Sequence, residues 1–187
     1  MAGERGAPAK GRALSSAGMD VTMIVDGANV MGSRADGWWR DRAGAMARLH
    51  GELAALAARG IQGAVPGDLP DPRGRGDTAD GPGSAGAPGA GASGAPEAGE
   101  DDADGRWYPQ IVLVVEGRTR KVLSLVSPAP GVQVVAARGE GDDEIADLAS
   151  RLPGQRVVVT ADRELRRRVT SAGAAVTGPG WLIRQFR

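Results

Sequence analysis

TMIVDGANVMG, residues 22–32, runs from an apolar stretch onto Asp26 and then directly into glycine-rich sequence. Val21 to Val25 form a continuous apolar and β-branched run with no polar alternation. That pattern belongs to a strand buried on both faces, as in parallel sheets covered by helices. In an open sheet of this kind, ligands bind in the crevice at the carboxyl ends of the strands. Asp26 stands at such an end. The same arrangement recurs in VVVTADREL (157–165), where Asp162 follows an apolar run. A related arrangement occurs in ARGEGDDEIADLA (137–149), where Asp142, Asp143 and Glu144 lie where a turn becomes a helix. Carboxylates far apart in sequence can therefore converge at one edge of the sheet. Converging carboxylates repel one another and persist most readily around a divalent cation. Hard oxygen ligands, with no cysteine and a single histidine in the chain, point to Mg²⁺ or Mn²⁺ and away from zinc. The chemistry suggested is metal-assisted cleavage of a phosphodiester.

Bulk properties narrow the class further. With 187 residues, the chain suits one domain with a substantial core better than two. Lys plus Arg and Asp plus Glu both number 23, so no global basic field advertises nucleic acid and any such contact needs a local patch. The absence of cysteine excludes disulfides and thiolate metal sites, and suits a reducing cytoplasm. Residues 1–18 lack the apolar core of a signal peptide. No stretch approaches the roughly 18 apolar residues of a membrane span.

The pattern along the chain predicts alternating strands and helices. Residues 1–19 read as a disordered tail and 20–187 as a single domain. A glycine-bearing loop follows the first strand, and a helix is expected over 40–59, with Met46, Leu49, Leu53 and Leu56 as its apolar stripe and Gly60 as its stop. His50 reads as lying on the polar side of that helix. Residues 62–106 are dominated by Gly, Ala, Pro, Ser and Asp, and read as a disordered insertion. Further strands are expected at 111–115, 132–136, 156–160 and 174–177. Helices are expected over 118–126, 142–152 and 163–172, with a terminal turn at 181–186.

Each acidic residue has a plainer reading. Asp26 fits a turn, and the Asp142 cluster and Asp162 fit helix caps and the helix dipole. Their repetition at separate strand ends is what favours one site. Glu116, ending the apolar run of VLVVEGR (112–118), is a further candidate ligand or an edge residue, and Asp147 reads as solvated surface. Arg34 and the arginines at 166–168 suit phosphate, since guanidinium forks match its geometry, or form solvated faces. Trp38 and Trp39 offer stacking on bases of a single strand, worth about 1–3 kcal/mol per base; alternatively, one of them covers the core edge.

With those residues assembled, the chain resembles the NYN family of PIN-like nucleases, particularly its YacP-like branch, over about 20–61 and 107–182. IVDGANVMG resembles the family's opening strand with its Asp and nearby Asn, which makes Asn29 a candidate catalytic residue beside Asp26. VLVVEGR occupies the second strand end, where Glu116 departs from the usual Asp but keeps its charge. GEGDDEIADLA resembles the acidic turn entering a helix, and the spacing to Ile145 favours Asp142 over Asp143. VVVTADREL resembles the closing strand with its Thr and Asp. The resemblance implies a Rossmann-like α/β three-layer sandwich with a parallel sheet of order 3-2-1-4-5 and helices on both faces. It also implies RNA cleavage dependent on a divalent metal.

The expectation is a Mg²⁺- or Mn²⁺-dependent endoribonuclease. Asp26, Asn29, Asp142 and Asp162 are its catalytic residues. Asp26, Glu116, Asp142, Asp143 and Asp162 are candidate metal ligands, and Arg34, Trp38, Arg166 and Arg168 candidate RNA contacts. RNA, single-stranded or ribosome-associated, is the expected partner. The rivals are a non-catalytic RNA-binding module of the same fold and a phosphatase or nucleotide hydrolase. Ala28 stands where a haloacid-dehalogenase-like enzyme needs its second aspartate, and the first turn lacks the GxGxxG of a dinucleotide site.

Overall fold

The computed structural model describes residues 21–67 and 105–187. Five strands form a parallel sheet: β1 (Val21–Asp26), β4 (Gln110–Val115), β5 (Val132–Ala136), β6 (Gln155–Val159) and β7 (Ala175–Thr177). Their spatial order is β5-β4-β1-β6-β7. Counting only these strands, this is the expected 3-2-1-4-5. The unanticipated detail is a separate antiparallel ribbon of β2 (Ile61–Gln62) and β3 (Arg106–Trp107). Gln62 and Arg106, read as insertion, pair with each other in it, so the chain leaves and re-enters the fold at one point. The expected tail at 1–19 and residues 68–104 of the expected insertion lie outside the described residues.

Strand alternation divides the core. Met23, Val25, Ile111, Leu113 and Val115 face α2 (Arg42–Arg59), a 3₁₀ helix (Gly117–Ser124) and α5 (Pro179–Gln185). Ile24, Val112, Val114 and Val158 face α3 (Gly141–Arg151) and α4 (Arg163–Ser171). Burial on both faces is why the central strands read as continuous apolar runs. The same period of two places Asp26, Glu116 and Thr160, the next residues in the second set, on the α3 and α4 side. From β1 the chain steps outward through β4 to β5, then crosses back to β6 on the other flank of β1. The strand order therefore reverses beside β1, where open sheets form their crevice.

Three local readings change. Residues after β1 form α1 (Gly27–Gly32), not a loop. Their glycines argue against helix, but Asp26 caps the helix and Val30 and Met31 are buried in the core. Gly27 is required by close approach, because a Cβ there would lie 2.7 Å from the Val114 carbonyl oxygen and 2.9 Å from Met46 Cε. The terminal segment is a helix, with Pro179 in its first turn, a favoured position. His50 is buried, at 6% exposure, on the edge of the Met46–Leu53 stripe, and burial lowers its pKa below 6.5.

Candidate active site

A pocket of about 470 Å³ opens at the carboxyl end of β1, lined by residues that include Asp26, Asn29, Glu116, Asp142 and Asp162. Four separate segments supply these side chains. Asp26 is the last residue of β1, 7% exposed, and its Oδ1 accepts the Asn29 N–H at 3.0 Å. Its Oδ2 accepts the Thr160 hydroxyl at 3.0 Å, and Thr160 Oγ1 in turn accepts the Asp162 N–H at 3.1 Å. This chain of bonds couples β1 to the turn after β6. Asn29 Oδ1 accepts the Ala161 N–H at 3.0 Å, a second tie across the same crevice. The Asn29 amide keeps its two N–H donors for other partners.

Asp162 caps α4 through Oδ1, which accepts the Leu165 N–H at 2.8 Å. Glu116 Oε2 accepts the Gly141 N–H at 2.7 Å and so pins the start of α3 to the end of β4. That contact sets Asp142, the next residue, at the pocket wall. The capping readings of Asp26 and Asp162 are therefore correct as far as they go. A cap contributes about 1 kcal/mol. Like charges brought to one pocket repel, and each pair opposes the small gain from a cap. Capping alone does not account for four carboxylates around one pocket.

The electrostatics show the same crowding. Burial pushes the Asp26 carboxyl above its ordinary 3.8, opposed by the bonds from Asn29 and Thr160 and reinforced by Glu116 and Asp162. Asp142 is also raised, first by burial, then by Asp26, Asp162 and Glu116, with Arg168 opposing. Asp142 thus feels all three other carboxylates of the pocket. Among the described residues, no three acidic or histidine side chains stand together as a formed ion cage. The donor set is nevertheless all hard oxygen. Mg²⁺ keeps several waters, through which carboxylates around a pocket can hold it without all ligating it directly, so these residues fit such an ion.

Several candidates fall elsewhere. Asp143 is absent from the pocket lining; its Oδ1 accepts from Arg168 Nη2 at 2.8 Å, and its side chain is 69% exposed. Successive helix positions diverge by about 100°, so only one of the two aspartates can face the sheet. Arg168 is tied to Asp143, which stabilises its charged form. Arg34 turns inward, with Nη2 2.6 Å from Glu52 Oε2 and its guanidinium 5.1 Å from the Phe186 ring centre. It serves to hold α5, not to present a free cation. Trp38 is half-buried against the core, while Trp39 is exposed. Arg166 is exposed on α4, and Asp147 is surface, paired with Arg151. Thr160, which the sequence marks only as the Thr of the closing-strand motif and not as a site candidate, is a site residue through its bond to Asp26. The signal is available in VVVTAD, because alternation from Val158 places residue 160 on the face of Asp26.

No protein-family model matches this sequence, and no curated protein sequence matches it. Among the solved structures that share its architecture are two of one protein. One is Rae1 (YacP) from Bacillus subtilis, with a TM-score of 0.55 at 15% identity, the match covering 88% of this chain and 72% of the other. The other is a point mutant of the same protein, with a TM-score of 0.52 at 15% identity over 90% and 75% of the two chains. The fold is that of Rae1 (YacP). It agrees with the branch that the strand-end motifs resemble. No helix among the described residues is long and apolar enough to cross a membrane.

Proposed function

We propose that the chain is an endoribonuclease that depends on Mg²⁺ or Mn²⁺. The observation that supports this most is the convergence of Asp26, Glu116, Asp142 and Asp162 on one pocket at the strand-order reversal, beside Asn29. Asp26, Asp142 and Asp162 would hold the ion, with Glu116 assisting. A bound divalent ion lowers the pKa of its water and stabilises charge developing on the phosphate. Thr160 fixes the rotamer of Asp26, and Asn29, anchored through its oxygen, directs its amide N–H groups toward a water or phosphate oxygen. Asp143 and Arg34 are not part of this proposal. Arg166 and Arg168 on α4 offer phosphate contacts, with Arg168 exchanging Asp143 for the backbone of a bound strand.

The non-catalytic RNA-binding reading is favoured by one observation, the lack of a formed ion cage among the described residues. A cleavage assay on purified protein separates the two. Single-stranded RNA should be cut internally in Mg²⁺ or Mn²⁺ and remain intact, yet bound, in EDTA. Binding without cleavage across varied RNAs and both ions would decide for the binding module.

A further inference from the structure

The segment between α1 and α2 carries two adjacent tryptophans that the pocket does not use. Trp38 is half-buried and packs against the core, and Trp39 is 57% exposed. The rings meet edge to face, with centres 6.3 Å apart and planes at 84°. Trp38 thus buttresses Trp39 from the protein side. Arg40 lies 6.0 Å from the Trp39 ring centre, and Arg42 lies 5.4 Å from that of Trp38. The turn that presents them is set by Gly37, whose φ of 75° is a left-handed conformation that side-chain-bearing residues rarely adopt. Asp36 Oδ1 accepts the Trp38 N–H at 3.2 Å and fixes the next step of the backbone. Trp39 is an exposed indole held by a second ring, with one guanidinium, that of Arg40, over it. Its remaining exposed surface offers an apolar π-face with positive charge close by.

Geometry connects this feature to the pocket. Ser33 lines the pocket wall, and Trp39 follows it by six positions. Even a fully extended segment of that length spans at most about 22 Å. A single strand of a few nucleotides with one phosphate in the pocket is long enough to place a base at Trp39.

We propose that Trp39 is a stacking platform for an unpaired base of single-stranded RNA, with Trp38 as its buttress and Arg40 contacting the adjoining phosphate. The proposal rests on the nuclease reading and adds a preference for unpaired strands. Base stacking on aromatic side chains is tolerant of sequence but requires the base to be out of a duplex.

The test measures binding of a short fluorescent single-stranded RNA in EDTA, so that cleavage does not enter. An abasic strand with the same phosphates is the control. Trp39→Ala should weaken binding of the RNA roughly 5- to 100-fold, leave the abasic strand unaffected and keep the salt dependence unchanged. Trp39→Phe should recover most of the affinity. Arg40→Gln should reduce the salt dependence for both strands. Wild-type affinity in Trp39→Ala, or equal losses on both strands, would overturn the platform. If the wild type cleaves RNA in Mg²⁺ while Trp39→Ala binds unchanged, the platform alone is rejected. A wild-type protein that neither binds nor cleaves RNA rejects both readings.

Discussion

Asp26→Asn is expected to lower the rate of metal-dependent RNA cleavage by more than about 100-fold. Loss of a group that merely supports a metal ligand already costs roughly 10- to 100-fold in affinity or activity, and Asp26 is placed to be a ligand itself. Asparagine keeps the shape of the side chain and can still accept the Asn29 N–H on its oxygen. Its amide would face the Thr160 hydroxyl, which can turn to accept. The fold should therefore survive, at a cost of about 1–3 kcal/mol because the buried Thr160 hydroxyl proton loses its carboxylate acceptor. RNA affinity in EDTA should be equal to or higher than that of the wild type, because one negative charge facing the phosphate is gone. Cleavage kinetics, a thermal melt and a binding titration on the same preparation read these three effects. Undiminished cleavage by Asp26→Asn would reject the mechanism.

Adding Mg²⁺ or Mn²⁺ to chelated protein at neutral pH should raise the melting temperature by roughly 5–10 °C. An ion at about 100 times its dissociation constant stabilises by about 2.7 kcal/mol, and each kcal/mol shifts a domain of this size by about 2–4 °C. The pH dependence without metal follows from Asp26 and Asp142, both raised above 3.8 in the folded chain. Such groups hold their protons to higher pH when folded than when unfolded. Their stabilising contribution is full below 3.8 and is lost as pH rises through the raised folded values. Above those values the desolvation of the charged carboxylates and their mutual repulsion remain as a cost, which a divalent ion offsets. In Asp142→Asn, both the metal-induced shift and this part of the pH slope should shrink. An undiminished shift in that variant would place the ion elsewhere.

The central strands were legible because double-sided burial writes itself as continuous apolar runs, as at 21–25 and 111–115, and the less buried edge strands β5 and β7 because they are short Val-bearing runs between turns. Helix α1 was hidden because its stability comes from Val30 and Met31 in the core and from the Asp26 cap, while its glycines argue locally for a loop. The carboxylates could be named because strand ends in a parallel sheet share one edge. Their coupling could not, since the Thr160 to Asp26 bond joins positions 134 apart. The inward turn of Arg34 onto Glu52 and Phe186, and the division of labour between Trp38 and Trp39, are likewise set by tertiary packing. Adjacent tryptophans carry no local mark of which one the core will cover.

The central claim is that Asp142, with Asp26 and Asp162, binds the ion that drives cleavage, and a change of ligand softness tests it. The chain has no cysteine of its own, so Asp142→Cys introduces one unique thiolate. Soft thiolates bind Mg²⁺ poorly and prefer softer ions. Asp142→Cys should lose cleavage of single-stranded RNA in Mg²⁺ and regain part of it in Cd²⁺, while Asp142→Ala should regain none. Mg²⁺-supported cleavage by Asp142→Cys at the wild-type rate would contradict the claim.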